Sequence, residues 1–407
     1  MLLFPRWRAP VALTAAGLFL LLGIVPVSAI PGAIDWNVLL MLGGIMGTVD
    51  LFIRSNMPAR LADGLVRTLH SVKWVFVVLA LFAGVISAFI DNVATVLMLA
   101  PIGLAIAKSQ RVSPVPVVLA IAVSSNLQGA ATLVGDTTSI LLGSYLKMDF
   151  TDFFSMNGRP GMFWIVQAGA LATVPVLMVL FRQHRDRPRR TPPVEISDYG
   201  PTVLLLGTVA SLIAASFLPE KPAITNGLLC VAFFVVGLLR ACLRQRSLKP
   251  AGEALRAVDY TTLLLLAGLF LVIDGISRAG VIDDISRLFI QLGGGSLFLT
   301  YTIIVWFSVL FSAFIDNIPY VATMLPVVGG IAASVGAEPL VLYFGLLAGA
   351  TLGGNLTPVG ASANIAAGGI LRREGCEVST GEFMRIGVPF TMTAVITGYV
   401  LIWLIFA

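Results

Sequence analysis

The hexapeptide Ser-Ala-Phe-Ile-Asp-Asn stands at Ser87–Asn92 and again at Ser312–Asn317. Each copy lies inside a long apolar run, so the chain places the same carboxylate twice where water is scarce. The register of the repeat extends well beyond the six residues. At the same step of 225 positions Pro101 falls on Pro326, Gly129 on Gly354, Thr132 on Thr357, Gly135 on Gly360 and Gly143 on Gly368. Upstream the step is 224, which carries Asp35 onto Asp259, Gly44 onto Gly268, Asp50 onto Asp274 and Arg54 onto Arg278. One inserted residue reconciles the two steps, and a register kept this long marks an internal duplication.

The solvent for this duplicated unit is the bilayer. Of 407 residues 57% are hydrophobic and 12% charged, against about a quarter charged in ordinary soluble domains. Apolar stretches of about 18 residues or more, the length that spans a membrane, recur along the chain, and no sizeable soluble domain separates them. The net charge of +5 is what basic cytoplasmic loops produce, and it calls for no nucleic-acid partner. Cys230, Cys242 and Cys376 have no paired spacing, and His70 and His184 lie in hydrophilic connections. Neither a disulfide framework nor a metal site is expected. Arg6, Arg8 and the apolar stretch Val11–Val25 resemble a signal peptide, but the run is long enough to be read as a first span.

The stretch Trp74–Ala107 cannot be one straight helix. Its 34 residues would extend ~51 Å at ~1.5 Å per residue, and the hydrocarbon core is ~30 Å thick. Broken at Asp91-Asn92 it makes two arms of ~24 Å, slightly short of a full crossing, which fits a re-entrant hairpin whose tip stops near mid-membrane; two short full spans are the alternative. The following segment, and its partner from 339 to 371, is interrupted by Gly, Ser, Thr, Asp and Pro. Such residues unwind a membrane helix, and the freed backbone groups are tolerated only when buried in protein or facing a cavity. The expected fold is therefore an all-α polytopic membrane protein. It has two inverted repeats, each with a re-entrant hairpin (74–107 and 296–332) and a broken transmembrane helix (115–146 and 339–371). Unbroken crossings are expected near 11–30, 36–55, 162–181, 202–218, 223–239, 258–276 and 384–406. The first repeat then covers 1–181, a charged and Pro-rich cytoplasmic linker 182–198, and the second repeat 199–407. With the N-terminus cytoplasmic and the C-terminus outside, 21 of the 26 Lys and Arg fall on the inner side, as the positive-inside rule asks.

Asp91 and Asp316 carry the chemistry. A carboxylate at mid-membrane costs about 2.5–3.5 kcal/mol on insertion scales, and neither hairpin holds a Lys or Arg to pair with it. Asn92 and Asn317 add neutral oxygens, and the unwound backbone in Gly129–Asp136 and Gly353–Gly360 adds carbonyls. Carboxylate, amide and carbonyl oxygens suit a hard monovalent cation or a titrating proton. Asp136 is a third acid without an acidic twin, since Ala361 aligns with it. The ion and proton candidates are therefore Asp91, Asn92, Asp136, Asp316 and Asn317. The substrate candidates are Thr132, Gly135, Thr137, Ser139, Gly354, Asn355, Thr357, Gly360, Ser362 and Asn364. The bland alternatives are a hairpin tip rigidified by a backbone-bonded Asp, and helix capping by Asp136, Ser139 and Asn364. Asp35 and Asp259 read as helix N-caps, and the pairs Asp50–Arg54 and Asp274–Arg278 as helix-end ion pairs.

The motifs SAFIDNVATVLMLAP, LVGDTTS and LGGNLTPVGASAN resemble the ion-transporter superfamily. That group comprises arsenite permeases, D-type sodium/proton antiporters, the melanosomal P protein and divalent-anion/sodium symporters with a citrate-transporter-like domain. The likeness covers nearly the whole chain and is strongest to the arsenite-permease and P-protein branch. It implies a homodimeric, elevator-type transporter with a fixed scaffold and a moving part that carries the hairpin tips and broken helices. The tips depart from the symporter pattern: Asp91-Asn92-Val93 and Asp316-Asn317-Ile318 stand where symporters have Ser-Asn-Thr, and Gly135-Asp136-Thr137-Thr138-Ser139 stands for Gly-Asp-Pro-Pro-Asn.

An aspartyl protease would also place two acids in the membrane, but its Gly-x-Gly-Asp signature is missing, because Leu133 precedes Gly135 by two. A channel and a non-transporting assembly protein are the other classes to weigh. The expectation is a non-enzymatic secondary transporter of the bacterial inner membrane, without a cofactor and with H+ or Na+ as coupling ion. It would export arsenite or a similar small inorganic ion, with a sodium/proton antiporter or a sodium-coupled dicarboxylate symporter as the alternatives.

Overall fold

The computed structural model describes residues 7–184, 186–188, 195–218, 220–335 and 340–407. Part of the linker, 189–194, and residue 339 at the expected start of the second broken helix lie outside these. Nineteen α-helices run in sequence. They are α1 (Arg8–Leu21), α2 (Ile30–Ala33), α3 (Trp36–Arg54), α4 (Met57–Arg67), α5 (Val72–Ser87), α6 (Asn92–Gln110), α7 (Val115–Gln128), α8 (Thr137–Tyr145) and α9 (Met162–Leu180) in the first half. Then come α10 (Gly200–Ala215), α11 (Thr225–Gln245), α12 (Lys249–Ala257), α13 (Tyr260–Arg278), α14 (Val281–Gly293), α15 (Leu297–Ser312), α16 (Asn317–Val335), α17 (Leu340–Gly353), α18 (Ser362–Arg373) and α19 (Thr380–Phe406). Seven described helices are long and apolar enough to cross a membrane, or eight if the sharply bent pair α14–α15 is taken as one span.

The duplication survives element by element. α3 to α8 have their counterparts in α13 to α18, displaced by the same steps that align the hexapeptides. Each hairpin breaks where the carboxylate stands, because Asp91 and Asp316 take the N-terminal position of the second arm and accept its first amides. The broken helices stop at Gln128 and Gly353 and resume at Thr137 and Ser362. Between the halves, Thr132 donates its hydroxyl to the Ala88 carbonyl and Thr357 does the same to Ala313. The unwound segments are thereby tied to the hairpin tips. Gly135 and Gly360 allow that approach: a Cβ on Gly135 would lie 2.9 Å from the Ala88 oxygen, and one on Gly360 would lie 2.8 Å from the Ala313 oxygen.

The repeats are inverted. One cavity brings Asp50 and Ile53, at the C-terminal end of α3, beside Asp259 and Thr262, at the N-terminal end of α13. A second cavity brings Gly32–Asp35, which precede α3, beside Asp274 and Ser277, near the end of α13. The repeat mates α3 and α13 therefore run in opposite directions.

Two expected features change. The first crossing does not run unbroken from 11 to 30. α1 ends at Leu21, Gly23 takes a left-handed φ of +72°, and the chain resumes helix only at 27–33. The connections read as hydrophilic also contain amphipathic helices, α4 and its mate α14, and α12. In α4, Met57, Pro58, Ala62 and Asp63 are buried, while Arg60 and Arg67 reach round to the Asp63 carboxylate. A search for uniformly apolar runs misses helices that bury a single face. The described part of the linker packs back on the bundle: the Lys73 amide donates to the His184 carbonyl at 2.6 Å, and Asp198 receives Arg240 and Arg244.

Candidate functional site

Both hairpin tips and the head of α8 face one cavity of about 430 Å³. Its wall includes Asp91, Asn92, Asp136, Thr137, Asp316, Asn317 and Ser362, together with Asp50 and Asp259. Among the three central acids, the duplication accounts for Asp91 and Asp316, and the unwound segment of the first repeat contributes Asp136. Among the described residues lining the cavity there is no Lys, Arg or His.

The three central carboxylates are held differently. Asp91 Oδ1 accepts the amides of Val93 and Ala94 at 3.0 and 3.1 Å. Asp136 accepts the Thr137 amide at 2.7 Å and the Thr138 hydroxyl at 3.0 Å. Asp316 accepts the Ile318 amide at 3.1 Å and the Ser362 hydroxyl at 3.1 Å, and it also receives Arg8 Nη1 at 2.6 Å. That last contact corrects the expectation of acids without a basic partner. The base comes from α1, far outside the hairpin, where the sequence showed only a positive charge at the N-terminal flank. The capping role and the cavity-facing role coexist: each Asp closes its helix with one oxygen, and the carboxylate still borders the cavity.

Behind the tips lies a buried amide network. Asn92 Nδ2 donates to Asn126 Oδ1 at 2.9 Å. Asn126 Nδ2 in turn donates to the Thr351 carbonyl at 2.7 Å and to Asn355 Oδ1 at 3.1 Å. Asn355 Nδ2 returns to the Val123 carbonyl at 2.9 Å. The two broken helices thus cross through asparagine side chains that satisfy their exposed backbone groups, as burial requires. Asn126 was not foreseen. Its repeat mate is Thr351, so no duplicated pattern drew attention to it.

The remaining sequence candidates stay inside the protein. Ser139 donates to the Gly129 carbonyl at 3.0 Å and Asn364 to the Gly354 carbonyl at 3.1 Å. These repeat mates each cap the first half of their own broken helix. Thr132, Gly135, Thr357 and Gly360 form the ties described above, and Gly354 and Asn355 sit within the crossing; none of the eight lines the cavity. Asp35 and Asp259 do cap α3 and α13, at 3.1 and 3.2 Å from their amides, and Asp50–Arg54 and Asp274–Arg278 are ion pairs at 2.6 and 2.7 Å. Asp50 and Asp259 also border the cavity, a second role that spacing along the chain did not reveal.

Comparison with known proteins agrees with this architecture. A family model described as citrate transporter matches residues 1–349. An uncharacterized transporter of Mycobacterium tuberculosis is 33% identical over 405 residues, covering 98% of this chain and 93% of that protein. The human P protein is 26% identical over 444 residues, covering 90% of this chain and 53% of its own length. Among solved structures, the YdaH transporter of Alcanivorax borkumensis superposes with a TM-score of 0.65 at 14% identity, covering 98% of this chain and 96% of that one. MtrF of Neisseria gonorrhoeae gives 0.59 at 15% identity, with 95% and 83% covered. At these identities the two structures speak for the fold.

Proposed function

We propose that this chain, which belongs to the citrate transporter family, is a proton-coupled secondary transporter that exports arsenite or a similar small inorganic ion across the bacterial inner membrane. The observation that carries the reading is the convergence of Asp91, Asp136 and Asp316 on one cavity, with Arg8 as the one base in contact with them. Three carboxylates against one guanidinium leave the site negative when all are ionised. It therefore repels a free polycarboxylate and accepts a cation, a proton or a neutral species such as undissociated arsenite. Arrival or departure of cargo at this cluster of acids exchanges a proton.

Alternating access follows from the inverted repeat. The hairpins and broken helices move as a unit against a scaffold of α1, α3, α11 and α13, in a homodimer. The first cavity lies at the ends of α3 and α13 that the positive charges assign to the cytoplasm, and in this reading it is the inward-facing opening. The coupling ion is H+, and no cofactor takes part. The family setting supports transport rather than catalysis.

The test is flux in proteoliposomes under an imposed pH gradient, with arsenite, sodium and citrate as separate cargoes. Arsenite efflux driven by inward protons supports the reading, and flux indifferent to the gradient sinks it. A sodium/proton antiporter is the second reading, favoured by the neutral oxygens of Asn92 and Asn317 beside the acids. Proton release on sodium addition without any other cargo would select it. Citrate uptake driven by sodium would select the symporter alternative, with the N-termini of α8 and α18 at the cavity as its anion contacts.

A further inference from the structure

The two hairpin tips share their sequence, yet among the described residues only one of them touches a base. Arg8 and Asp316 meet at 2.6 Å with side chains 18% and 9% exposed. Among the described residues, the Asp91 carboxylate accepts only backbone amides of its own helix. Arg8 belongs to α1, which is not part of either hairpin and packs along α13 instead: a Cβ on Gly268 would lie 2.9 Å from the Ala12 backbone. Further along the same contact, a Cβ on Gly275 would lie 2.1 Å from the Phe19 ring. The other half repeats this seam between α11 and α3. There a Cβ on Gly44 would lie 2.4 Å from the Cys230 backbone, and one on Gly237 would lie 2.7 Å from Leu51.

These matched seams relate α1 to α11. The shift that carries Ala12 onto Cys230 and Phe19 onto Gly237 carries Arg8 onto Asn226. Where one half has a guanidinium, the other has a neutral amide. Asn226 is buried, and its Oδ1 has no hydrogen-bond partner among the described residues.

We infer that Arg8 is a tethered cation that latches the hairpin tip at Asp316 and holds the site open to the first cavity, and that a proton or coupling cation competes with it. The inference rests on the alternating-access reading above. A pair made between the scaffold and a moving tip exists in one arrangement and breaks in the other. In the opposite arrangement the repeats exchange roles, and Asp91 meets the position of Asn226, which offers no charge. One state is latched and its mirror image is not. Arg8 from α1 contacts Asp316, and the charged groups that share its cavity are Asp91 from the other tip, Asp136 from the head of α8, Asp50 and Asp259. Arg8 is the single cation of the set. A proton or coupling cation that takes the Asp316 carboxylate displaces the Arg8 guanidinium, and the latch opens.

The two cavities supply matched probes, because Leu97 lines the first and its repeat mate Ala322 the second. Leu97→Cys and Ala322→Cys are placed singly in full-length protein whose three natural cysteines are replaced, and maleimide labelling rates are measured with no cargo present. Arg8→Gln is expected to raise labelling of the Ala322→Cys probe at least about threefold and to lower that of Leu97→Cys. The labelling ratio of the Gln variant no longer responds to pH, because no guanidinium is left to be displaced. Arg8→Lys keeps both near wild type. Unchanged labelling in folded Arg8→Gln protein overturns the latch, as does equal behaviour of the Gln and Lys variants. Should Arg8→Gln fail to insert, labelling of the wild-type background against pH decides: acid must shift reactivity from Leu97→Cys to Ala322→Cys, and a flat ratio overturns the proposal. A shifted ratio with pH-independent flux keeps the latch and removes proton coupling. A pH-dependent flux with a constant ratio does the reverse.

Discussion

The hairpin tips at Asp91 and Asp316 are identical over six residues and sit in different company. Both carboxylates cap a second arm, and both face the same cavity. Asp316 is neutralised by Arg8 and contacted by Ser362. Asp91 has neither, and the mate of Ser362, Thr137, makes no bond to it. The repeat gives both tips the same capping chemistry, and partners from distant helices make the two unequal. The difference teaches that identical tips can be left in different electrostatic states, one carboxylate paired with a guanidinium and the other bonded to backbone amides.

The sharpest way to break this comparison is to remove each titrating group in place. Asn caps a helix about as well as Asp, so Asp91→Asn is expected to keep the fold and lose at least about tenfold in proton-driven flux, the scale of a lost acid–base group. Asp316→Asn loses coupling too, and it also strands the Arg8 guanidinium. We expect it to be about 1–3 kcal/mol less stable than Asp91→Asn, the penalty for leaving a part-buried polar group unpaired. Thermal unfolding in detergent measures the gap, and identical melting temperatures would show that the two tips are energetically alike. If both variants keep full flux with the wild-type pH profile, the acids are structural.

Where the repeats are alike, matched substitutions should cost alike. Gly135→Ala and Gly360→Ala each drive a methyl against hairpin-tip carbonyl oxygens, and each is expected to destabilise by about 1–3 kcal/mol, as overpacking does. A large difference between the two melting curves would contradict the structural equivalence of the ties. Where the repeats differ, so should the response. Asn126 makes three side-chain bonds across the crossing, while the Thr351 side chain meets only the Thr138 hydroxyl, at 3.1 Å. Asn126→Ala is expected to cost about 2 kcal/mol and Thr351→Ala about 1 or less.

The smallest effect concerns the join between the repeats. Hydrogen bonding from Arg240, with help from the Gly200 amide and Arg244, holds the Asp198 carboxyl well below the usual carboxylate range. A depressed acid stabilises the fold above its unfolded value and loses that contribution as pH falls through the folded one. The clamp is therefore fully present at neutral pH and fades only in strong acid. Its arginines are largely solvent-exposed, so Asp198→Asn should cost at most about 1 kcal/mol. A melting-temperature loss comparable to that of Asp316→Asn would show the linker to be a structural partner of the site.

Much of the architecture was readable before any coordinates. The hairpin expected over 74–107 is α5 and α6, over 72–87 and 92–110, and the one expected over 296–332 is α15 and α16. Apolar run length and a central carboxylate were sufficient, because the bilayer penalises a helix that is too long and a backbone group left unpaired. The amphipathic helices α4, α12 and α14 were not readable that way, since their hydrophobic residues face only one side. Of the site, the three acids were legible because each interrupts an apolar run. Asn126 was hidden by its lack of a duplicate, and Arg8 by the 308 positions that separate it from Asp316.

The sequence by itself determined the helical segments, their breaks, the duplication and the acids that the membrane would make expensive. These follow from local rules: length against bilayer thickness, capping at a break, and the register of a repeat. The tertiary structure alone decided that α1 lies along α13 and α11 along α3, that the three acids share a cavity at the C-terminal end of α3, and that Arg8 answers Asp316 and not Asp91. Apolar helices in lipid gain nothing from merely meeting, so their partners are chosen by close fit, here by glycines that admit a neighbouring backbone or ring. Such fit depends on surfaces assembled from distant parts of the chain.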